Sequence, residues 1–331
     1  MNSPVRVDTQ APPPESADIV SSMTFVPLTR ARANLILLFV ALVWGSAFVA
    51  QALGMRSLGP FLFTGLRFLL GAAVVAPLAW REWGELSRRR RQPRTRDGLH
   101  IALLGALLFL GAAMQQVGMV TTTVTNAGFL TALYIPLVPV LGWIAARHLP
   151  HWTTWLAAGG CVAGSWLLTG GGSLSNFRTG DWWVIASSLP WALHVMLVGR
   201  AANRLHGAML VACGQFIACS VLALTFGLAT EPVTAHGVAQ ALGAIVYTGV
   251  LSVGLGFTLQ VVAQRHTRPA DSAIVLSSET VFAAAARAVF MGDRIGTSGL
   301  VGCALILACV LMVQLQPIVW RWFADTRQKT A

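Results

Sequence analysis

Ten runs of apolar residues, each about as long as a bilayer core is thick, constrain this chain more than any other feature. They fall at about 34–53, 61–80, 99–119, 125–146, 153–169, 181–199, 207–229, 237–260, 270–291 and 297–316. About twenty residues of α-helix rise roughly 30 Å. Inside hydrocarbon a backbone must satisfy its own hydrogen bonds, which leaves helices and closed barrels. Runs of this length predict helices, and hence an all-α integral membrane protein with ten transmembrane helices. Composition points the same way: 55% of residues are hydrophobic and 11% charged, whereas soluble domains carry about 25% charged residues.

The formal net charge of +11 would suggest nucleic acid in a soluble protein. Here the basic residues sit mostly in short loops between apolar runs, so they report topology and no nucleic-acid partner is expected. Cys161, Cys213, Cys219, Cys303 and Cys309 all fall inside apolar runs without a C-x-x-C pair, so they read as small packing residues. No metal site, disulfide framework or cofactor is implied.

A glycine-rich segment, 170–180, divides the chain into two sets of five runs. The expected organisation is a disordered cytoplasmic tail (1–33), a first five-helix repeat (34–169), an outer linker (170–180), a second repeat (181–316) and a cytoplasmic tail (317–331). Shifting the sequence by about 144 positions lays Gln116 on Gln260 and Pro136 on Thr280. Five is odd, so the second repeat is upside down relative to the first, the arrangement of many carriers. With the N-terminus in the cytoplasm, eighteen Lys and Arg residues lie on the inner side. Only Arg56, Arg178 and Arg294 lie outside, while Arg67 and Arg287 fall within spans. That asymmetry predicts a multi-pass membrane protein with both termini in the cytoplasm. The run Arg88 to Arg91 then anchors the inner face and can attract anionic membrane lipid.

Polar residues at mid-depth are the informative ones, because each needs a partner where water is absent. Glu279 is the one carboxylate well inside a span, and a carboxylate there costs several kcal/mol. Arg67 lies in the second span, deep enough to reach it. The two read either as a buried structural pair or as separate groups, with Arg67 meeting a substrate carboxylate and Glu279 an ammonium or a proton. Gln116 and Gln260 occupy equivalent depths in the two halves and are candidates for lining a central cavity. Tyr134, away from the interfacial belts, is another, and Trp44 and Trp191 stand at similar places in the first and sixth spans. His194 is expected to hydrogen-bond a neighbouring helix. Gly160 with Gly164, and Ser252 with Gly256, are spaced for close helix packing.

The motifs LVWGSAFVA (Leu42 to Ala50), TGLRFLLGA (Thr64 to Ala72) and QQVGMVTTTVTNAGFLTALYIPLVPVLGW (Gln115 to Trp143) carry a resemblance. So does YTGVLSVGLGFTLQVVAQRHTRPADSAIVLSSETVFAA (Tyr247 to Ala284), followed by MGDRI. The chain resembles the EamA-type family of the drug/metabolite transporter superfamily, over nearly all its length after the N-terminal tail. The resemblance implies a ten-helix carrier of two inverted repeats that moves small metabolites across a bacterial cytoplasmic (inner) membrane, more often outward. Two departures stand out: Thr280 stands where the family usually has Pro, and Arg287 where it usually has an apolar or aromatic residue.

The reading is therefore a secondary transporter for a small polar metabolite, an amino-acid-like compound or a drug, exported by alternating access. A membrane enzyme is disfavoured, since H-E-x-x-H, G-x-S-x-G and dense His/Asp clusters are missing from the sequence. ATP-driven pumping has no P-loop to support it. Proton coupling and assembly into a homodimer stay open at this point.

Overall fold

The computed structural model describes residues 28–91, 93–147, 149–169, 178–292 and 294–329. The expected N-terminal tail up to residue 27 and residues 170–177 of the expected linker lie outside these. Seven helices are continuous: α1 (Arg30–Gly54), α2 (Pro60–Arg88), α3 (Thr95–Met119), α5 (Trp152–Leu168), α6 (Thr179–Leu205), α7 (Ala208–Thr230) and α10 (Thr297–Lys329). Three are interrupted. Helix α4 comprises Val124–Thr131 and Tyr134–Ala146, and α9 comprises Pro269–Leu276 and Glu279–Met291. Helix α8 runs from Ala235–Tyr247 through a wider π-helical segment, Thr248–Phe257, into Thr258–Gln264. Among the described residues nine of these are long and apolar enough to cross a bilayer; α5, with 17 residues, falls just short in length.

Two boundaries differ from expectation. Helix α2 runs on to Arg88, into the basic segment expected as a loop, and α10 continues to Lys329 through the expected C-terminal tail. Neither extension contains a glycine stop apart from Gly84 in α2, and once nucleated a helix adds a hydrogen bond per residue.

The packing has two-fold character. Helix α2 lies along α7 and α5 along α10, so each pairs with its own counterpart. The other contacts exchange: α3 packs on α6 and α7, as α8 packs on α1 and α2, and α4 packs on α6, as α9 packs on α1. The α5–α10 seam depends on backbone approach, since a Cβ at Gly302 would stand 2.3 Å from the Gly164 carbonyl oxygen. The outer surface carries exposed Leu, Val, Ile and Phe along the helices and tryptophans such as Trp80, Trp152 and Trp182 near their ends. That surface suits lipid, with indoles at the headgroup level.

The α2–α7 pair is closed at both ends by glutamates outside the apolar runs. Glu231, just past α7, accepts from the Phe61 and Leu62 backbone N–H groups at the start of α2, at 2.9 and 2.8 Å. Glu82, in the last turns of α2, accepts from the Leu210 N–H at the start of α7, at 2.8 Å. The first turn of a helix has unpaired donors and a positive dipole end, and a carboxylate satisfies both. Glu231→Ala and Glu82→Ala are each expected to cost about 1–2 kcal/mol, read as a lower melting temperature of purified protein, with Glu85→Ala on the exposed face as the unaffected control.

Candidate functional site

The interruptions of α4 and α9 fall at equivalent positions. The second half of α4 begins at Tyr134 and that of α9 at Glu279, within one position of the register that lays Pro136 on Thr280. Both breaks use the same tightened turn: Leu133 N–H donates to Leu130 O and Ile135 N–H to Ala132 O, as Ser278 N–H donates to Val275 O and Thr280 N–H to Ser277 O. In α9 hydroxyls stabilise the break without proline. Ser277 Oγ donates to Ile274 O and Ser278 Oγ to Val275 O, both at 2.6 Å, and Thr280 Oγ1 donates to Ser277 O at 2.9 Å. Serine and threonine bonding back to the preceding turn bend helices and re-satisfy freed carbonyls. The proline absent at Thr280 is thereby replaced. Glu279 opens a half-helix whose N-terminus is the positive end of its dipole, a favourable place for a carboxylate.

Three aromatic rings wall the cavity beside these breaks. Phe257 stacks on Trp191 at 6.0 Å between centroids and packs tilted against Trp44 at 4.5 Å. Each tryptophan seats on a glycine of the opposite half, Trp44 on Gly256 and Trp191 on Gly111, where an added Cβ would come within 2.8 and 2.9 Å of the indole. The symmetry stops at the backbone. In α8 the π-helical segment leaves the Ser252 carbonyl able to accept from Trp44 Nε1 at 3.1 Å. Helix α3 is regular around Gly111, and the Trp191 Nε1 donor, though buried, has no partner.

Polar groups complete the wall. Arg67, 4% exposed, donates from Nη1 to Gln51 Oε1 at 2.7 Å, and its guanidinium lies 5.2 Å from the Phe68 ring and 5.7 Å from that of Phe63. The same Gln51 oxygen accepts from Gln116 Nε2. Gln115 donates to Thr131 at 2.8 Å. Gln260 keeps its Oε1 unpartnered, as Arg67 does its Nε. Glu279 makes neither a hydrogen bond nor an ion pair among the described residues; the two ion pairs described there are Arg30–Asp271 and Arg204–Asp97.

One small cavity, about 50 Å³, is lined by Trp44, Arg67, Tyr134, Trp191, Gln260 and Glu279 together with Gln51, Phe257 and others. That volume holds a few waters at most. Six of the seven residues expected from sequence thus converge on it. Gln116 does not line it: it stands behind Gln51 and orients that amide. The alternative of an Arg67–Glu279 ion pair is not realised, because Gln51 takes the guanidinium instead. Sequence reasoning missed Gln51, which lies so near the end of α1 that it reads as interfacial, and Phe257, which looks like any core aromatic. His194 sits beside the wall, its Nε2 2.8 Å from Gln215 Oε1 of α7. It is a buried helix-to-helix contact outside the cavity lining.

Residues 31–170 and 178–315 each match the EamA-like transporter family. The chain belongs to that family. Among its EamA relatives is an uncharacterized transporter of Archaeoglobus fulgidus, 27% identical over 87% of either chain. A probable terminal-alkyne amino-acid exporter of Streptantibioticus cattleyicolor is 28% identical over 89% of this chain and 98% of its own. The threonine/homoserine exporter of Salmonella typhimurium is 24% identical over 74% of this chain and 79% of its own. One crystal structure matches with a TM-score of 0.72 at 20% identity, over 87% of this chain and 99% of that one, which establishes the shared fold. This EamA chain is therefore a multi-pass membrane transporter and not an enzyme.

Gln51 holds two buried donors at once, so Gln51→Leu strands Arg67 and Gln116 together. It is expected to destabilise by about 2–4 kcal/mol, at about 1–3 kcal/mol per stranded buried group. Gln260→Leu, which strands no partner, should lower the melting temperature much less. Equal losses in the two variants would show that Gln51 does not hold the network.

Proposed function

We propose that this protein exports a small zwitterionic, amino-acid-like compound across the cytoplasmic membrane by alternating access. The observation that carries the reading is one cavity lined by a buried guanidinium and a buried carboxylate that do not neutralise each other. A charge left alone at mid-membrane costs several kcal/mol, and a ligand bearing both charges recovers that cost on both sides. Arg67 takes the carboxylate, with Trp191 Nε1 as a further donor. Glu279 takes the ammonium, with Gln260 Oε1 as a neutral acceptor beside it. The aromatic wall of Trp44, Phe257 and Trp191 covers the apolar part of the solute and favours a cation near a ring face.

Export is supported by the names of two relatives, a probable terminal-alkyne amino-acid exporter and a threonine/homoserine exporter, and the inside placement of both termini by the positive-inside bias. On that placement Arg30 and Asp271, 2.6 Å apart, tie α1 to α9 on the inner side. Asp181 with Thr122, and Arg178 with the Thr121 carbonyl at 3.3 Å, tie α6 to the start of α4 on the outer side. These are the same helix pairing in each repeat, so opening one latch while the other holds gives two mirror-related gates.

Flux from liposomes tests the charges. Protein reconstituted with labelled L-threonine inside is expected to release it, and threoninol, which lacks the carboxylate, to be a poor substrate. Arg67→Gln should lower affinity for threonine by about tenfold or more while leaving threoninol unchanged, the value of a charge-assisted hydrogen bond. Glu279→Gln should weaken both, since both carry the ammonium. Absence of flux across a panel of amino acids, or unchanged flux in both variants, would refute the reading.

Orientation is checked separately. In a background without native cysteines, Thr234→Cys, in the segment between α7 and α8, should label in intact cells with an impermeant thiol reagent, and Arg89→Cys should not. The opposite pattern would invert the assigned topology.

A further inference from the structure

The central cavity has a neighbour. A hollow of about 110 Å³ lies at the inner ends of α6 and α8, where the chain turns into α9. It exceeds the central cavity, about 50 Å³, and has room for a few waters or one small polar group. The two share a wall, since Val195 lines both. Four-residue spacing in the sequence builds this continuity, because it keeps side chains on one helix face a turn apart. Along α6, Trp191 lines the central cavity, Val195 lines both, and Gly199 lines the hollow. Along α8, Gln260 lines the first and Gln264 the second. Gly199 lets the two helices close on each other, as a Cβ there would stand 2.3 Å from the Gln264 carbonyl oxygen.

The hollow has an amide at its floor and guanidiniums at its mouth. Gln264, 4% exposed, donates from Nε2 to the Val195 carbonyl at 3.3 Å, while its buried Oε1 has no partner. One turn deeper, Gln260 Oε1 is in the same condition. A buried acceptor without a donor is costly, and a ligand ammonium relieves it. Arg200, exposed on α6, lines the mouth together with Arg265. Arg265 Nε donates to Asn203 Oδ1 at 3.1 Å, and Asn203 Nδ2 donates back to the Arg265 carbonyl at 3.0 Å. That reciprocal pair fixes one guanidinium at the rim.

From this geometry we infer that the hollow is the loading subsite for the solute on the cytoplasmic side. Arg200 and Arg265 receive its carboxylate at the rim through charge-assisted hydrogen bonds. Gln264 Oε1 receives its ammonium at the floor. Val195 is the partition that the solute passes to reach Gln260 and the central cavity. The cytoplasmic placement follows from the positive-inside bias. Pro269, the first residue of α9, bounds the hollow two residues before Asp271, which holds Arg30. Release of that latch therefore frees the element that walls the loading subsite. The zwitterionic character of the solute rests on the function proposed above; the route and its cationic rim do not.

Met196 lines the hollow but not the central cavity, so Met196→Cys, in a background without native cysteines, reports on the route. The probes are two impermeant methanethiosulfonates, the anionic sulfonatoethyl and the cationic trimethylammonioethyl reagent. Both are expected to label inside-out membrane vesicles faster than right-side-out ones. Arg200→Gln should lower the anionic rate by about threefold or more at low salt, and less at high salt. It should not lower the cationic rate, which serves as the check on folding. Labelling equal from the two faces, or an anionic rate unchanged by Arg200→Gln at low salt, overturns the loading subsite. In the same inside-out vesicles L-threonine is expected to slow labelling. Arg200→Gln should weaken that protection and leave the protection by threoninol unchanged, whereas Gln264→Leu should weaken both. Protection by threonine that neither variant alters overturns the assignment of carboxylate and ammonium to these residues. Charge-selective labelling from the cytoplasmic face without protection by any amino acid upholds the loading subsite and refutes the zwitterionic solute.

Discussion

Backbone hydrogen bonding inside a bilayer allows little besides unbroken helix, and the centre of this protein departs from unbroken helix at three places around one cavity. Each departure has a local chemical support. In α9 three hydroxyls bond back to the preceding turn; in α4 Thr131 does the same to Ala127 at 2.7 Å; in α8 the Trp44 indole meets a carbonyl of the π-helical segment. Irregular backbone at membrane depth is tolerated where protein or a wet cavity supplies its partners. The site exists because the backbone is interrupted there, and the interruptions persist because the side chains around them are polar in the right places.

The two halves share a framework but not a surface chemistry. Equivalent breaks present Tyr134 from one half and Glu279 from the other, one neutral and one acidic. Equivalent tryptophans rest on equivalent glycines, yet only Trp44 has its N–H satisfied. Gln260 reaches the cavity, while Gln116 is occupied by Gln51. On the proposed alternating-access reading, the two-fold scaffold supplies two gates of similar shape, and the differences between the halves let a ligand with distinct ends bind in one orientation.

Capping glutamates add a further level. Glu82 and Glu231 sit at opposite ends of the α2–α7 pair, each closing the start of the other helix. This ties together one helix from each repeat at both ends, with the interrupted α8 packed alongside. A rigid central pair beside interrupted, less regular helices is a reasonable division of labour for a carrier, since the elements that move come from the less stable end of a structure.

The linear order of residues determined the membrane class, the ten crossings and the division into two inverted sets, because apolar length and loop charge act locally and add up along the chain. It also singled out most of the cavity, since a polar or aromatic residue deep in an apolar run is conspicuous wherever the run goes: Arg67, Tyr134, Gln260 and Glu279 were legible for that reason alone. What the sequence left open was who meets whom. Arg67 has at least two polar groups to choose between by depth alone, Glu279 and Gln51, and only the tertiary placement of the last turns of α1 against Arg67 assigned it to Gln51. The same placement put Gln116 behind the cavity wall. The break in α9 was hidden as well, because serine back-bonding leaves a weaker signature than proline. Pairing between helices depends on rotation about their axes and on sub-ångström separations, quantities that emerge only when all ten helices pack together.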